Sequence, residues 1–179
     1  MSDRVNLVDL LGDSLISAQG DPAARVPVRS LDGKTVGLYF SAGWCAPCRK
    51  FTPRLLSLYQ NLNTGGSRFE VVFVSSDRDE AQFQAYFKDM PWLALPFKDS
   101  KLRNSVAQTF GVMGIPTLVL LGPDGKILNE NARGAVLQDP EGAGFPWEGQ
   151  SDLSGGGIRP WKLALLVILM WFLAKLIIN

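Results

Sequence analysis

The chain has 179 residues, of which 46% are hydrophobic and 20% charged, and its formal net charge at pH 7 is +1. A chain of this length and composition buries one proper core, so we expect one globular domain. The near-zero net charge supplies no basic field for nucleic acid, and we expect no nucleic-acid partner. With no histidine and two cysteines, a histidine-based triad and a Cys/His zinc site are excluded, and we predict no metal site.

The pattern of apolar residues predicts strands and helices in alternation. The charge-free apolar run at 35–41 predicts a buried central strand, and apolar residues at helical spacing predict helices. In chain order the predicted elements are an edge strand at 25–31, a central strand at 35–41, a helix at 46–62, a strand at 69–75, helices at 79–90 and 101–110, a strand at 118–121, a hairpin turn at 123–126 and a strand at 127–129.

The two cysteines, Cys45 and Cys48, lie where the central strand passes into a helix. Thiols at this spacing can close a disulfide without backbone movement, and a helix N-terminus stabilises a thiolate. We therefore predict a dithiol redox site in which Cys45 is the nucleophile and the inward-facing Cys48 resolves the mixed disulfide. Arg49 and Lys50, one turn further, would help to hold the thiolate. The alternative is a pair of buried, inert cysteines.

Three neighbours are predicted to support this site: Trp44, Ala46 and Pro47. Pro47 lacks an N–H and stiffens the first helical turn, which affects the reduction potential. Trp44 either shields the sulfur and contacts substrate or is a partly exposed packing residue.

Other residues are predicted to have structural roles only. We expect core positions for Phe83, Phe87, Trp92 and Phe97, and a solvated helix start at Asp77, Asp79 and Glu80.

The C-terminal segment 158–179 differs in composition from the rest of the chain. Residues 163–174 are apolar on every face of a helix. A helix over 161–178 would span about 27 Å, just short of the hydrocarbon core, and Lys162 and Lys175 would reach toward the head groups. This pattern predicts a short membrane anchor. A core helix or an amphipathic interfacial helix are the alternatives.

Five sequence blocks resemble the thioredoxin superfamily, and within it the tryparedoxin and nucleoredoxin families. They follow one another across roughly residues 30–147 and are LYFSAGWC at 38–45, FTP at 51–53, MPWLALPF at 90–97, GIPT at 114–117 and DPEGAGFPW at 139–147. The resemblance implies an α/β thioredoxin fold, in which helices flank a central mixed β-sheet. It also implies a redox-active Cys45–Cys48 disulfide that needs no other cofactor.

The resemblance further implies three substrate-binding residues. A cis bond before Pro116 would place the backbone of Ile115 opposite the cysteines, where an extended substrate could pair with it. From the residues alone, a trans proline at a strand start is the default. Arg133 could meet a carboxylate of a small thiol donor, or could simply be solvated.

The chain also departs from these families. Tyr39 stands where ordinary thioredoxins have a buried Asp, so the proton acceptor for Cys48 is unassigned. Ala46 replaces the first proline of the Cys-Pro-Pro-Cys motif. Residues 76–78 read Ser-Asp-Arg, closer to nucleoredoxins than to the Trp-Asp-Glu of tryparedoxins, and Ala135 replaces a tryparedoxin arginine.

Residues and resemblance together predict a thiol-disulfide oxidoreductase that reduces protein disulfides. We expect a tryparedoxin-like electron carrier that takes electrons from trypanothione, glutathione or a reductase and passes them to a disulfide protein such as a peroxiredoxin. The alternative is a nucleoredoxin-like adaptor whose cysteine state controls a partner interaction. A peroxidase that attacks peroxide directly is disfavoured because its Thr-x-x-Cys pattern is missing.

We expect residues 1–148 to form the thioredoxin-like domain, 149–157 a flexible linker and 158–179 the anchor. The first twenty residues lack a secretory or transit-peptide pattern, so the domain is expected in the cytosol. An anchor that ends the chain inserts after synthesis, which predicts a tail-anchored protein. A short anchor containing a lysine suits the mitochondrial outer membrane or the endoplasmic reticulum.

Overall fold

The computed structural model describes residues 4–19 and 24–149. The described residues form a mixed β-sheet with helices on both faces. The helices are α1 Leu7–Leu11, a 3₁₀ helix Val28–Leu31, α2 Ala46–Asn63, α3 Glu80–Phe87, α4 Ser100–Thr109 and α5 Arg133–Gln138. The strands are β1 Ser14–Ser17, β2 Val26–Pro27, β3 Thr35–Ser41, β4 Phe69–Ser75, β5 Leu93–Ala94, β6 Thr117–Leu121 and β7 Ile127–Asn129.

The strands lie in the order β2-β1-β5-β4-β3-β6-β7. Strand β3 pairs in parallel with β4 from Thr35 opposite Phe69 to Ser41 opposite Ser75, and antiparallel with β6. Because β3 and β4 run in parallel, their carboxyl ends meet at one edge of the sheet. The loop that carries the cysteines follows Ser41, so the redox site lies at that edge.

The side chains of β3 alternate between two apolar cores. Tyr39 points to the core that packs under α2, α3 and α5. Leu38 and Phe40 point to the opposite core, which packs against α1, the 3₁₀ helix and α4. A strand covered on both faces needs apolar residues at nearly every position, which explains why β3 carries no charge.

The structure confirms the thioredoxin fold and most predicted elements. The strands at 35–41 and 69–75 have the predicted bounds. The predicted edge strand at 25–31 is wrong beyond Pro27, because Val28 and Leu31, three residues apart, both turn into the core through a 3₁₀ turn. Helices α1 and α5 and strands β1 and β5 were not predicted.

The predicted core residues lie mostly as expected. Phe83, Phe87 and Trp92 are buried, whereas Phe97 is half-buried and stacks on Phe83 with their ring centroids 5.3 Å apart. The guanidinium of Arg103 covers the Phe97 ring, 4.3 Å from its centroid. Phe97 therefore lies between the apolar core and the guanidinium of Arg103.

The predicted anchor and most of the predicted linker lie outside the described residues. Within residues 4–19 and 24–149, no helix is both long and apolar enough to cross a membrane. The anchor at 158–179 therefore stays a prediction.

Candidate active site

Cys45 and Cys48 form a disulfide across the first turn of α2, with their Cα atoms 5.2 Å apart. Cys45 is the N-cap of the helix, and its Sγ accepts a hydrogen bond of 3.3 Å from the backbone N–H of Cys48. Both residues are buried, but Cys48 is fully inaccessible while 6% of Cys45 is exposed. A sulfur at an N-cap lies at the positive end of the helix dipole, so this position favours the thiolate of Cys45.

The loop before Cys45 is held by a buried carboxylate, Asp77. The backbone N–H of Gly43 donates to Asp77 Oδ1 at 2.8 Å, and the Ser75 hydroxyl donates to Oδ2 at 2.8 Å. The prediction of a solvated Asp77 is wrong: only 6% of the residue is exposed, because the redox loop folds over it. Asp79 does cap α3 as expected, accepting from the N–H of Gln82.

Replacing Asp77 with alanine is expected to lower the free energy of unfolding by about 1–3 kcal/mol. The change leaves the N–H of Gly43 and the hydroxyl of Ser75 without their acceptor in a buried place. Urea unfolding of the full chain measures the loss. The exposed Asp89→Ala variant is the matched control, with an expected change within about 0.5 kcal/mol. Equal losses in both variants would contradict the assigned role of Asp77.

Trp44 covers one side of the redox loop. Its indole N–H donates to the Ser76 carbonyl at 3.1 Å, and the guanidinium carbon of Arg78 lies 5.4 Å from its ring centroid. Arg49 donates to the Gly43 carbonyl at 2.6 Å, so its charge is fixed beside the loop. Because 47% of Trp44 stays exposed, the ring combines a fixed edge with a free apolar face.

The Ile115–Pro116 peptide bond is cis, as the resemblance implied. The carbonyl oxygen of Ile115 lies 3.8 Å from Cys45 Sγ, so this loop is the opposite wall of the site. A second cis bond, Phe145–Pro146, lies in the loop after α5 and was not predicted. The structure thus brings Ile115, Pro116 and the cysteines together.

Four hydroxyl groups form a cluster beneath the first turns of α2, contributed by Tyr39, Ser41, Thr52 and Tyr86. Thr52 donates to the Cys48 carbonyl at 3.0 Å, and the Tyr39 hydroxyl lies 3.5 Å from the same oxygen. Burial, and next the neighbouring Tyr86, raise the pKa of Tyr39 well above its usual value. Tyr39 therefore keeps its proton at neutral pH and does not act as the base for Cys48.

Arg133 lies at the start of α5, beside the exposed face of α2. With Ala46 and Pro47 it lines an open pocket of about 500 Å³ next to the disulfide. The pocket's other lining residues are Lys50, Phe51, Arg54 and Leu137, of which Arg54 and Leu137 were not predicted as site residues. The spacing of Lys50 and Arg54 along α2 was visible in the sequence. The position of α5, which brings Arg133 and Leu137 to the same pocket, was not.

Comparison with known proteins agrees with this geometry. Residues 33–127, more than half of the chain, match a family model described as thioredoxin-like. Tryparedoxin of Trypanosoma brucei brucei is 47% identical over 135 residues, covering 75% of this chain and 90% of that protein. Bovine nucleoredoxin is 46% identical over 118 residues, which cover 66% of this chain. The chain spans about a quarter of the nucleoredoxin, because the match covers 27% of it.

Solved structures give the same result. Tryparedoxin II of C. fasciculata superposes with a TM-score of 0.73 at 40% identity, covering 80% of this chain and 99% of that one. A tryparedoxin II complexed with glutathionylspermidine has a TM-score of 0.70 at 40% identity and covers 76% and 93% of the two chains. Proteins of this family use a redox-active disulfide and need no external cofactor. The chain belongs to the thioredoxin-like family, with tryparedoxins and nucleoredoxins among its relatives.

Proposed function

We propose that the chain is a reductase of protein disulfides in which Cys45 attacks and Cys48 resolves. The observation that carries this assignment is the asymmetry of the pair. Cys45 is the residue at the helix N-cap and at the surface of the site, whereas Cys48 is fully buried behind it. Only Cys45 can be approached by a substrate sulfur without unfolding the first turn of α2.

The proposed reaction transfers two electrons in two exchange steps. The Cys45 thiolate attacks one sulfur of the substrate disulfide, forming a mixed disulfide and releasing one substrate thiolate. The Cys48 thiolate then attacks Cys45 Sγ, which restores the Cys45–Cys48 disulfide and releases the second substrate thiolate. The two protons lost by the dithiol end on the two substrate thiols. Two thiols of an external donor regenerate the dithiol: the first attacks Cys45 Sγ and frees Cys48, and the second attacks the donor sulfur of the mixed disulfide, which frees Cys45 and leaves the donor as a disulfide.

The walls of the site supply the substrate contacts of this proposal. An extended segment beside Cys45 would pair with the backbone of Ile115, as an added strand pairs with a sheet edge. The cis bond before Pro116 presents that backbone to the disulfide. The exposed face of Trp44 would cover the substrate's apolar atoms from the other side.

We propose a low-molecular-weight thiol of the trypanothione or glutathione class as electron donor, with a reductase as the alternative source. Two similarities support this proposal. The match to the Trypanosoma brucei brucei tryparedoxin covers 90% of that protein, and the fold is similar to that of a tryparedoxin II complexed with glutathionylspermidine. The acceptor in this proposal is a disulfide protein such as a peroxiredoxin. Arg133 would meet a carboxylate of the donor.

The competing function is a nucleoredoxin-like adaptor, in which the cysteine state controls the binding of a partner. It is favoured by the 46% identity to bovine nucleoredoxin and by the Ser-Asp-Arg sequence at 76–78. Efficient turnover with a cellular donor supports the reductase. Slow turnover with tight capture of a partner by the oxidised form supports the adaptor.

Steady-state reduction of insulin disulfides separates the two functions. The full chain, in detergent, is assayed with trypanothione, glutathione, or thioredoxin reductase plus NADPH as the sole electron source. We expect one donor to sustain many turnovers, at a rate far above that of the donor alone. Turnover with none of the three would contradict the reductase and favour the adaptor.

We also propose that segment 158–179 anchors the domain to the cytosolic face of the mitochondrial outer membrane or the endoplasmic reticulum. The support is the run at 163–174, which contains no charged residue. Alkaline carbonate is expected to leave the full chain in the membrane pellet. Paired Leu166→Arg and Leu169→Arg changes should release it, since each arginine at mid-span costs about 2.5–3.5 kcal/mol. Release of the unaltered chain would contradict the anchor.

A further inference from the structure

A second surface lies beside the disulfide, on the side formed by α2 and α5. The pocket there is bounded by Ala46 and Pro47, which directly follow Cys45, and does not include Ile115 or Pro116. A substrate joined to Cys45 can therefore contact the Ile115 wall and this pocket at the same time. Of the charged residues that line this pocket, the proposed function uses only Arg133, for a carboxylate of the donor.

The pocket is cationic. Lys50, Arg54 and Arg133 line it, and no acidic side chain does. None of these three cations takes part in an ion pair within the described ranges. The acids that follow α5 are engaged elsewhere: Asp139 accepts from the N–H groups of Ala143, Gly144 and the Trp147 indole, and Glu141 accepts from Asn61. The three charges are thus available to a bound anion.

The pocket is also apolar in part. Pro47 and the nearly buried ring of Phe51 form its α2 side, and Leu137, which is 51% exposed, forms its α5 side. Leu137 is a large hydrophobic side chain that stays half-exposed beside three cations. This combination suits a ligand with both carboxylates and an apolar group. A purely ionic ligand would leave Leu137 uncovered.

The exposed apolar side chains around the site indicate a protein segment rather than a small thiol. In the described part of the chain, the large hydrophobic residues that remain exposed are Trp44, Met113 and Leu137. Trp44 directly precedes Cys45, Leu137 lines the pocket with Ala46 and Pro47, and Met113 lies two residues before Ile115, whose carbonyl is 3.8 Å from Cys45 Sγ. Exposed apolar residues on three separate segments near one sulfur can each contact a bound protein segment.

We propose, building on the reductase function, that this pocket binds an acidic, partly apolar segment next to the reactive cysteine of a disulfide-bearing protein. From Pro47 to Arg54 the helix rises by about 10 Å, which is the length of about three residues of extended chain. The segment therefore places its carboxylates about two to four positions from the substrate cysteine. Acidic disulfide segments are reduced in preference to neutral or basic ones.

The test uses the full chain in detergent and three disulfide peptides that differ only at positions two to four from one cysteine. These positions carry Glu-Leu-Glu, Gln-Leu-Gln or Lys-Leu-Lys. We expect kcat/KM to fall in that order, with a ratio of about tenfold or more between the acidic and the basic peptide at low salt. The ratio should shrink as ionic strength rises, because exposed charges are screened.

Charge reversal in the pocket tests the named residues. Arg54→Glu should lower the acidic-to-basic ratio of kcat/KM by about tenfold, and the double change Lys50→Glu, Arg54→Glu should invert the preference. Lys88→Glu, an exposed cation on the C-terminal side of α3, makes the same change in net charge and should leave the ratio unaltered. If Lys88→Glu lowered this ratio as much as Arg54→Glu does, the assignment of the charge preference to the pocket would be overturned.

The remaining outcomes are distinguishable. Insulin reduction with equal kcat/KM for the three peptides leaves the reductase standing and overturns this inference. No insulin reduction by the unaltered chain overturns the reductase and the inference with it. If the pocket variants change the rate with oxidised glutathione but not with the peptides, the pocket serves a small thiol and the protein segment is overturned.

Discussion

Cys45→Ser is expected to abolish disulfide reduction, with a loss of more than about 10³-fold in kcat/KM. The nucleophile in thiol exchange is a thiolate, and a serine hydroxyl at the helix N-cap stays protonated at neutral pH. Cys48 cannot substitute for it, since its side chain is fully buried behind the first turn of α2. Insulin reduction with the donor found for the unaltered chain measures the loss.

The control for this variant is a measurement that it folds. Serine is an accepted N-cap residue, so the backbone N–H of Cys48 keeps a hydrogen-bond acceptor at position 45. The circular dichroism spectrum of Cys45→Ser should match that of the reduced unaltered chain. A folded Cys45→Ser protein with substantial turnover would show that the nucleophile is misassigned.

Cys48→Ser is expected to convert the enzyme into a trap for its substrates. The Cys45 thiolate still attacks, but no internal thiol lies within reach to release the mixed disulfide. Steady-state turnover should fall by about 10²-fold or more, since release then depends on a second external thiol. Non-reducing gels should show one substrate molecule bound to each protein molecule, and dithiothreitol should free it.

The two variants form a matched pair, because each removes one sulfur from the same turn of α2. Trapping by Cys48→Ser together with no trapping by Cys45→Ser fits the proposed roles. The opposite pattern, with Cys45→Ser holding the substrate, would mean that the buried cysteine attacks. That result would require the first helical turn to open before the reaction.

The central strands and the cysteine helix could be predicted from local sequence. Strand β3 is a charge-free run that ends shortly before α2 begins, and β4 is an apolar run with a single charged residue, Glu70. Helix α2 has its apolar residues at helical spacing, with buried Phe51, Leu55 and Leu58 on one face. These elements can be assigned from their own residues, because the spacing of their apolar side chains fits one type of secondary structure.

Other parts of the site depend on tertiary contacts that no local pattern shows. Asp77 and Asp79 look alike in the sequence, yet the first accepts from Gly43 across the sheet edge and the second caps its own helix. Helix α5 is six residues long, contains Gly134 and has no side-chain cap, so its stability comes from packing Val136 into the core. The cis bond before Pro116 was predicted by resemblance rather than by the residues themselves.

A single turnover without any donor isolates the electron transfer from the two cysteines. The full chain is reduced, freed of reductant and mixed with an excess of a disulfide peptide. We expect one peptide disulfide to be lost per protein molecule, and we expect mass spectrometry to find the Cys45–Cys48 disulfide in the product. Two free protein thiols that persist beside an unreduced peptide would contradict the proposed reaction.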